Sequence, residues 1–211
     1  MKDSVALHWL VVFSFLSIFF GTVLSIMIAD KAHSASISSC VAHGSPRVIF
    51  TITVVMNTPA LCLILHAFAQ WYLHNVTLRC RAYMYVQEII GIVGVAALCG
   101  LAFFTTDEYH HVHIACASTF FVLMYVHLLM ATLLPYVSNL KVRFRKDDGW
   151  HVFRKCLVFI SSLILLGTIT SMLRGNWIFS NFEWVYVTTF LAYLFSLWNE
   201  LSTSVIESTH V

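Results

Sequence analysis

Six long apolar runs, at about residues 6–29, 48–70, 83–104, 112–137, 156–172 and 184–201, constrain this chain more than any other feature. A hydrocarbon core about 30 Å thick is crossed by about 20 residues of helix. In lipid, every backbone N–H and C=O needs a partner within the protein, so runs of this length fold as helices. The expected fold is therefore all-α: a polytopic membrane protein with six transmembrane helices in one compact bundle. The short connections leave no room for a separate soluble domain, so residues 1–211 form a single membrane domain. Only 10% of the residues are charged and the mean hydropathy is +0.82, which excludes an ordinary soluble globule.

Orientation follows from the basic residues in the short connections, which favour the cytoplasmic side. Lys2, Arg79, Arg81, Lys141, Arg143, Arg145, Lys146, Arg154 and Lys155 fall on one side of the six runs, whereas Lys31, Arg47 and Arg174 fall on the other. Both termini are thus expected in the cytoplasm. The sequon Asn75-Val76-Thr77 then lies on the cytoplasmic side, where it stays unmodified. The first run is longer than a signal-peptide core and reads as a retained span, cleavage after Ser34 being the alternative. Cys40 alone would face an oxidising lumen, and no Cys-x-x-Cys or zinc-type spacing occurs, so neither an intramolecular lumenal disulfide nor a zinc site is expected. A net charge of +2 without a separate basic tract gives nucleic-acid binding no support.

Polar groups inside the spans are costly, which makes them the first candidates for a site. Asn57-Thr58-Pro59 stands near the middle of the second span, where proline removes a helical hydrogen bond and bends the axis. The alternatives are a structural kink and a widened cavity that admits a lipid chain. Glu88, near the cytoplasmic end of the third span, is expected to snorkel or to pair with Arg79 or Arg81. His113 and His127 share one face of the fourth span, about 21 Å apart at a rise of 1.5 Å per residue. Gly91 and Gly94 permit close helix contacts, either within the bundle or with a membrane partner.

Between the spans, the turn 105–111 gathers Asp107, Glu108, His110 and His111 just ahead of His113. A solvated turn and a weak divalent-ion site are the two readings, and no metal is assigned. Lys141, Arg143, Arg145 and Lys146 follow the fourth span as a juxtamembrane cluster that suits anionic headgroups, although topology alone also places them there. Nucleophile elbows, Walker loops and His-Glu-x-x-His motifs are absent.

Several of these residues together resemble the family that includes the post-GPI-attachment-to-proteins factor also known as FGF-receptor-activating protein, the DRAM autophagy modulators and the yeast Sfk proteins. They are Ala67-Phe68-Ala69-x-Trp71 after the Pro59 kink, Thr105-Thr106-Asp107-Glu108 leading to His113, His127, Asn176 before the sixth span, and Tyr193 and Asn199 within it. The resemblance runs from about Cys40 to Asn199. It implies six spans and work on membrane lipids: remodelling of GPI anchors, phospholipid transfer or homeostasis, or autophagy. The chain departs from the glycolipid-remodelling branch at Ala192, where that branch is acidic, at Thr203, where it has His, and in the register of Glu88.

The leading expectation is a non-catalytic, lipid-handling subunit. Its site comprises Asn57, Pro59, Glu88, His127, Tyr193 and Asn199, it holds a phospholipid and no other cofactor, and it serves an acyltransferase or lipid-transfer partner. An enzyme acting on acyl chains is the alternative, with His113 as base and Asp107 or Glu108 as its orienting group. A b-type haem carrier using His66 and His127 is a third reading, and a channel or transporter a fourth. The resemblance implies the endoplasmic reticulum or Golgi, with the lysosome and plasma membrane as alternatives.

Overall fold

The computed structural model describes residues 2–28, 37–75, 81–137, 149–173, 183 and 185–196. The described residues are helical, with turns and no strands. The elements are α1 (Lys2–Ile28), α2 (Ile37–Cys40), α3 (Gly44–Asn75), α4 (Arg81–Phe103), α5 (His110–Val137), α6 (Gly149–Leu173) and α7 (Val185–Ser196). Among them α1, α3, α4, α5 and α6 are long and apolar enough to cross a membrane, and α7 is a shorter apolar helix. The rest of the run at 184–201 lies outside the described residues, as do Asn176, Asn199 and the basic cluster Lys141, Arg143, Arg145 and Lys146.

Sequential neighbours pack against one another: α1 on α3, α3 on α4, α4 on α5 and, less extensively, α5 on α6. Helix α7 closes onto α5 and α1 through ring contacts of Phe190 with Phe120, Tyr193 with His127 and Phe195 with Phe15. One apolar core results, built from Leu61, Leu65, Phe68, Tyr72, Met84, Phe120, Met124, Leu134, Phe190 and Tyr193. On the outside, Phe13, Phe20, Ile52, Met56, Ile89, Phe159 and Leu166 are exposed. Such a surface would drive aggregation in water, whereas lipid chains cover it at no cost.

Close approach depends on residues without a side chain. A Cβ on Gly91 would stand 2.9 Å from both His127 Nδ1 and Leu65 Cδ1, and one on Gly94 would stand 2.6 Å from Met124 Sδ. The glycine pair is therefore spent inside the bundle, where it lets α4 touch α3 and α5. Gly44, at φ 61, turns the chain out of the 41–43 bend into α3, a left-handed conformation that other residues reach only with strain.

Helix α3 continues through Pro59 and extends past the 48–70 apolar run at both ends. The neighbouring side chains bond carbonyls of the preceding turn: Asn57 Nδ2 donates to Thr53 O at 2.7 Å and Thr58 Oγ1 to Val54 O at 2.9 Å. Asn57 also donates to Ser17 Oγ at 2.9 Å and so ties α3 to α1. No disulfide forms among Cys40, Cys62, Cys99, Cys116 and Cys156.

Candidate functional site

The end of the bundle where α4 stops and α5 starts is organised by a helix terminus. The last carbonyls of a helix have no intrahelical partner and need one from elsewhere. Thr51 Oγ1 donates to Ala102 O at 2.9 Å, Arg47 Nη2 to Phe103 O at 3.4 Å, and His113 Nδ1 to Phe104 O at 2.6 Å. Residues of α3 and α5 thus cap α4, and the cationic Arg47 suits the negative end of its dipole. The turn is closed locally by Tyr109 N–H to Thr105 O, 3.0 Å, and Glu108 N–H to Thr105 Oγ1, 3.4 Å.

Capping by His113 has a chemical consequence. A carbonyl only accepts, so Nδ1 carries the hydrogen and Nε2 faces the other way. There it meets Ser38 Oγ of α2 at 3.1 Å. Ser38 is also held by Glu183, with Oγ to Oε1 at 3.0 Å and Ser38 N–H to Oε2 at 3.2 Å. Three segments remote in sequence, α2, the first turn of α5 and Glu183, two residues before α7, therefore meet in one polar trio.

Proton counting restricts its states. In the neutral ring Nε2 has a lone pair and accepts from the Ser38 hydroxyl, which leaves Glu183 to donate as the acid. When Glu183 is a carboxylate it takes the Ser38 hydrogen, and His113 must donate as imidazolium. Burial pushes the Glu183 carboxyl upward from its ordinary value, against the opposing pull of the Ser38 N–H and hydroxyl and of His113.

Beneath the trio lies an open pocket with a cavity volume of about 70 Å³, walled by α1, α3, α4, α5 and α7. Ser38, His113, Glu183 and Thr22 are its polar lining; the rest is apolar, including Val54, Leu61, Leu98, Ala117 and Phe190. Val54 and Leu61 flank Pro59 in the sequence of α3. An apolar body with a few convergent polar groups is the usual make-up of small-molecule sites.

The other sequence candidates separate into three groups. Asp107 and Glu108 do not orient His113: Asp107 Oδ2 bonds His43 Nε2 at 2.5 Å and Glu108 Oε1 pairs with Arg47 Nη1 at 3.0 Å, both on the exposed rim. Glu88 pairs with His66 Nδ1 at 2.5 Å, a bond between α3 and α4 on the outer face, where His66 is half-exposed. His127 and Tyr193 are fully buried against each other near the middle of the core, with His127 Nδ1 donating to Gln87 O at 2.9 Å and His127 Nε2 unpartnered among the described residues. No group of three or more His, Cys, Asp or Glu side chains among the described residues could hold a metal ion.

Ser38 and Glu183 escape the sequence reading. The one available signal was that both lie in connections on the same side of the spans as the turn before His113. The model of the Frag1/DRAM/Sfk1/Cwh43P N-terminal domain matches residues 4–204. The chain belongs to this family. Membership, with the apolar helices, makes it an integral membrane protein of lipid-related processes. No curated protein and no solved structure matches the chain.

Proposed function

We propose that this Frag1-family chain is a lipid-handling membrane protein that takes one acyl chain of a phospholipid or glycolipid into the pocket beneath Ser38, His113 and Glu183. The single observation that carries the reading is an apolar pocket capped by a polar trio at one end of the bundle. The apolar wall suits a hydrocarbon chain, while the trio offers both donors and acceptors to an ester or headgroup. The reading includes six spans with both termini cytoplasmic, which puts the trio at the lumenal leaflet. It also includes service to a membrane partner in GPI-anchor lipid remodelling or phospholipid homeostasis, in the endoplasmic reticulum or Golgi.

The test is native mass spectrometry of the full chain released from its own membrane into nanodiscs. Wild type should retain a lipid, and Ala117→Trp, which fills the pocket, should lose it. Leu163→Trp on the outer face of α6 should not. Equal lipid retention by wild type and Ala117→Trp would remove the pocket from the argument.

A further inference from the structure

We propose that Ser38 is the nucleophile of an acyl transfer, with His113 as its general base, acting on the ester that joins a fatty acyl chain to a membrane glycerolipid or glycolipid. The proposal rests on the reading that an acyl chain occupies the pocket, and replaces its non-catalytic version.

Three features carry it. An activated serine needs a base within hydrogen-bond reach, about 2.6–3.2 Å, and that base needs a third group to hold its tautomer. His113 Nε2 lies 3.1 Å from Ser38 Oγ, and the Phe104 carbonyl holds Nδ1–H at 2.6 Å. Next, the trio opens onto the apolar pocket and is not sealed in the core, so an ester whose chain fills the pocket has its carbonyl beside Ser38. Finally, Glu183 Oε1 stands 3.0 Å from Ser38 Oγ. As the neutral acid it is a donor that can turn from Ser38 Oγ to the carbonyl oxygen as charge develops there.

The step balances without an added reagent. Ser38 Oγ attacks the ester carbonyl carbon while its proton passes to His113 Nε2, and Glu183 donates a hydrogen bond to the oxyanion. Collapse breaks the bond to the alcohol oxygen, which leaves with the proton from His113, giving a lyso-lipid and an acyl ester on Ser38. A second alcohol, the hydroxyl of another lyso-lipid, or water attacks that ester. His113 takes its proton and returns it to Ser38, releasing the transferred lipid or a free fatty acid.

The experiment uses the full chain in phosphatidylcholine nanodiscs, with a long-chain alkyl fluorophosphonate as probe and acyl-labelled phosphatidylcholine plus lyso-phosphatidylcholine as substrates. The expected result is a covalent adduct mapped to Ser38 and movement of acyl label to lyso-lipid or water. Both should vanish in Ser38→Ala, and both should slow by about 100-fold or more in His113→Gln. Ser38→Cys, which preserves shape, should instead become alkylated by N-ethylmaleimide faster than any other cysteine, and that rate should fall when His113→Gln is added. Native mass spectrometry of the same samples separates the two ideas. Wild type that retains lipid yet forms no adduct and moves no label overturns the nucleophile and leaves the lipid reading standing. Wild type labelled at Ser38 but free of lipid overturns the lipid reading alone. Acyl turnover undiminished in Ser38→Ala also overturns the nucleophile.

Discussion

Ser38 Oγ lies 3.1 Å from His113 Nε2 although 75 positions separate the two residues in the chain. The contact exists because α4 ends with a carbonyl that needs a donor: His113 meets that need with Nδ1 and thereby aims Nε2 at Ser38. A structural cap and a chemically directed imidazole are here the same residue, so substitutions that separate the two roles are the informative ones.

Glu183 should make the protein less stable as pH rises. A carboxyl raised above its unfolded value binds more protons folded than unfolded in the window between the two values. Its stabilising contribution is full below the ordinary carboxylate value, about 4.3, and is lost as pH climbs through the raised one. The groups that face it are His113, the Ser38 hydroxyl and N–H, and the backbone N–H of Ile37. Thermal unfolding of the purified chain between about pH 4 and about pH 8 should show this decline. Glu183→Gln should flatten it, and an equally steep decline in the variant would assign the effect elsewhere.

Gly91→Ala should destabilise the bundle by about 1–3 kcal/mol, since its new methyl would press on the His127 ring and on Leu65 in a core already filled. Gly149→Ala is the control, because nothing lies within 4 Å of a Cβ there. It should be close to neutral, since Gly149 opens α6 and a helix start gains little from alanine over glycine. Unfolding in mixed micelles reads both. Equal effects would mean that α4 and α5 move apart easily.

Helix positions were legible because the apolar runs encode them, and His113 was legible because it follows a conspicuous polar turn. Ser38 was not. It sits among Ser34, Ser36 and Ser39 in a polar connection with no periodic pattern to single it out. Glu183 borders an apolar run like any interfacial charge, and only the packing of α7 against α5 brings it to Ser38. The partner of Glu88 was hidden for a related reason. Nearby arginines are visible along the chain, whereas pairing with His66 depends on the register between α3 and α4, which periodicity within one helix does not encode. The same applies to Asp107 and Glu108, whose partners His43 and Arg47 come from across the bundle end.

Asn57 and Ser17 should be energetically coupled. Their 2.9 Å hydrogen bond joins α1 to α3 inside the span, and interhelical bonds of this kind average about 0.6 kcal/mol. A double-mutant cycle with Ser17→Ala and Asn57→Ala, followed by steric-trap unfolding in bicelles, should return about that value. Asn57→Ala alone should cost more, because it also removes the bond to Thr53 O in the turn before Pro59. A coupling of zero would mean that the two helices are held by packing alone.

The proposed topology places Ala32 and the trio on the lumenal side, and Asn75 on the other. Ala32→Asn completes an Asn-x-Ser acceptor with His33 and Ser34, while Asn75-Val76-Thr77 is already an acceptor in the natural chain. Expressed with microsomes, the wild type should carry no glycan and the variant should carry one that an endoglycosidase removes. A glycan on Asn75 in the wild type would invert the protein and set Ser38 and His113 in the cytoplasmic leaflet. The class of available lipid would change with it, because glycolipid headgroups lie in the lumenal leaflet while the trio would then meet anionic phospholipids. The orientation thus decides which ester can reach Ser38, and the glycan reports it independently of any lipid or activity measurement.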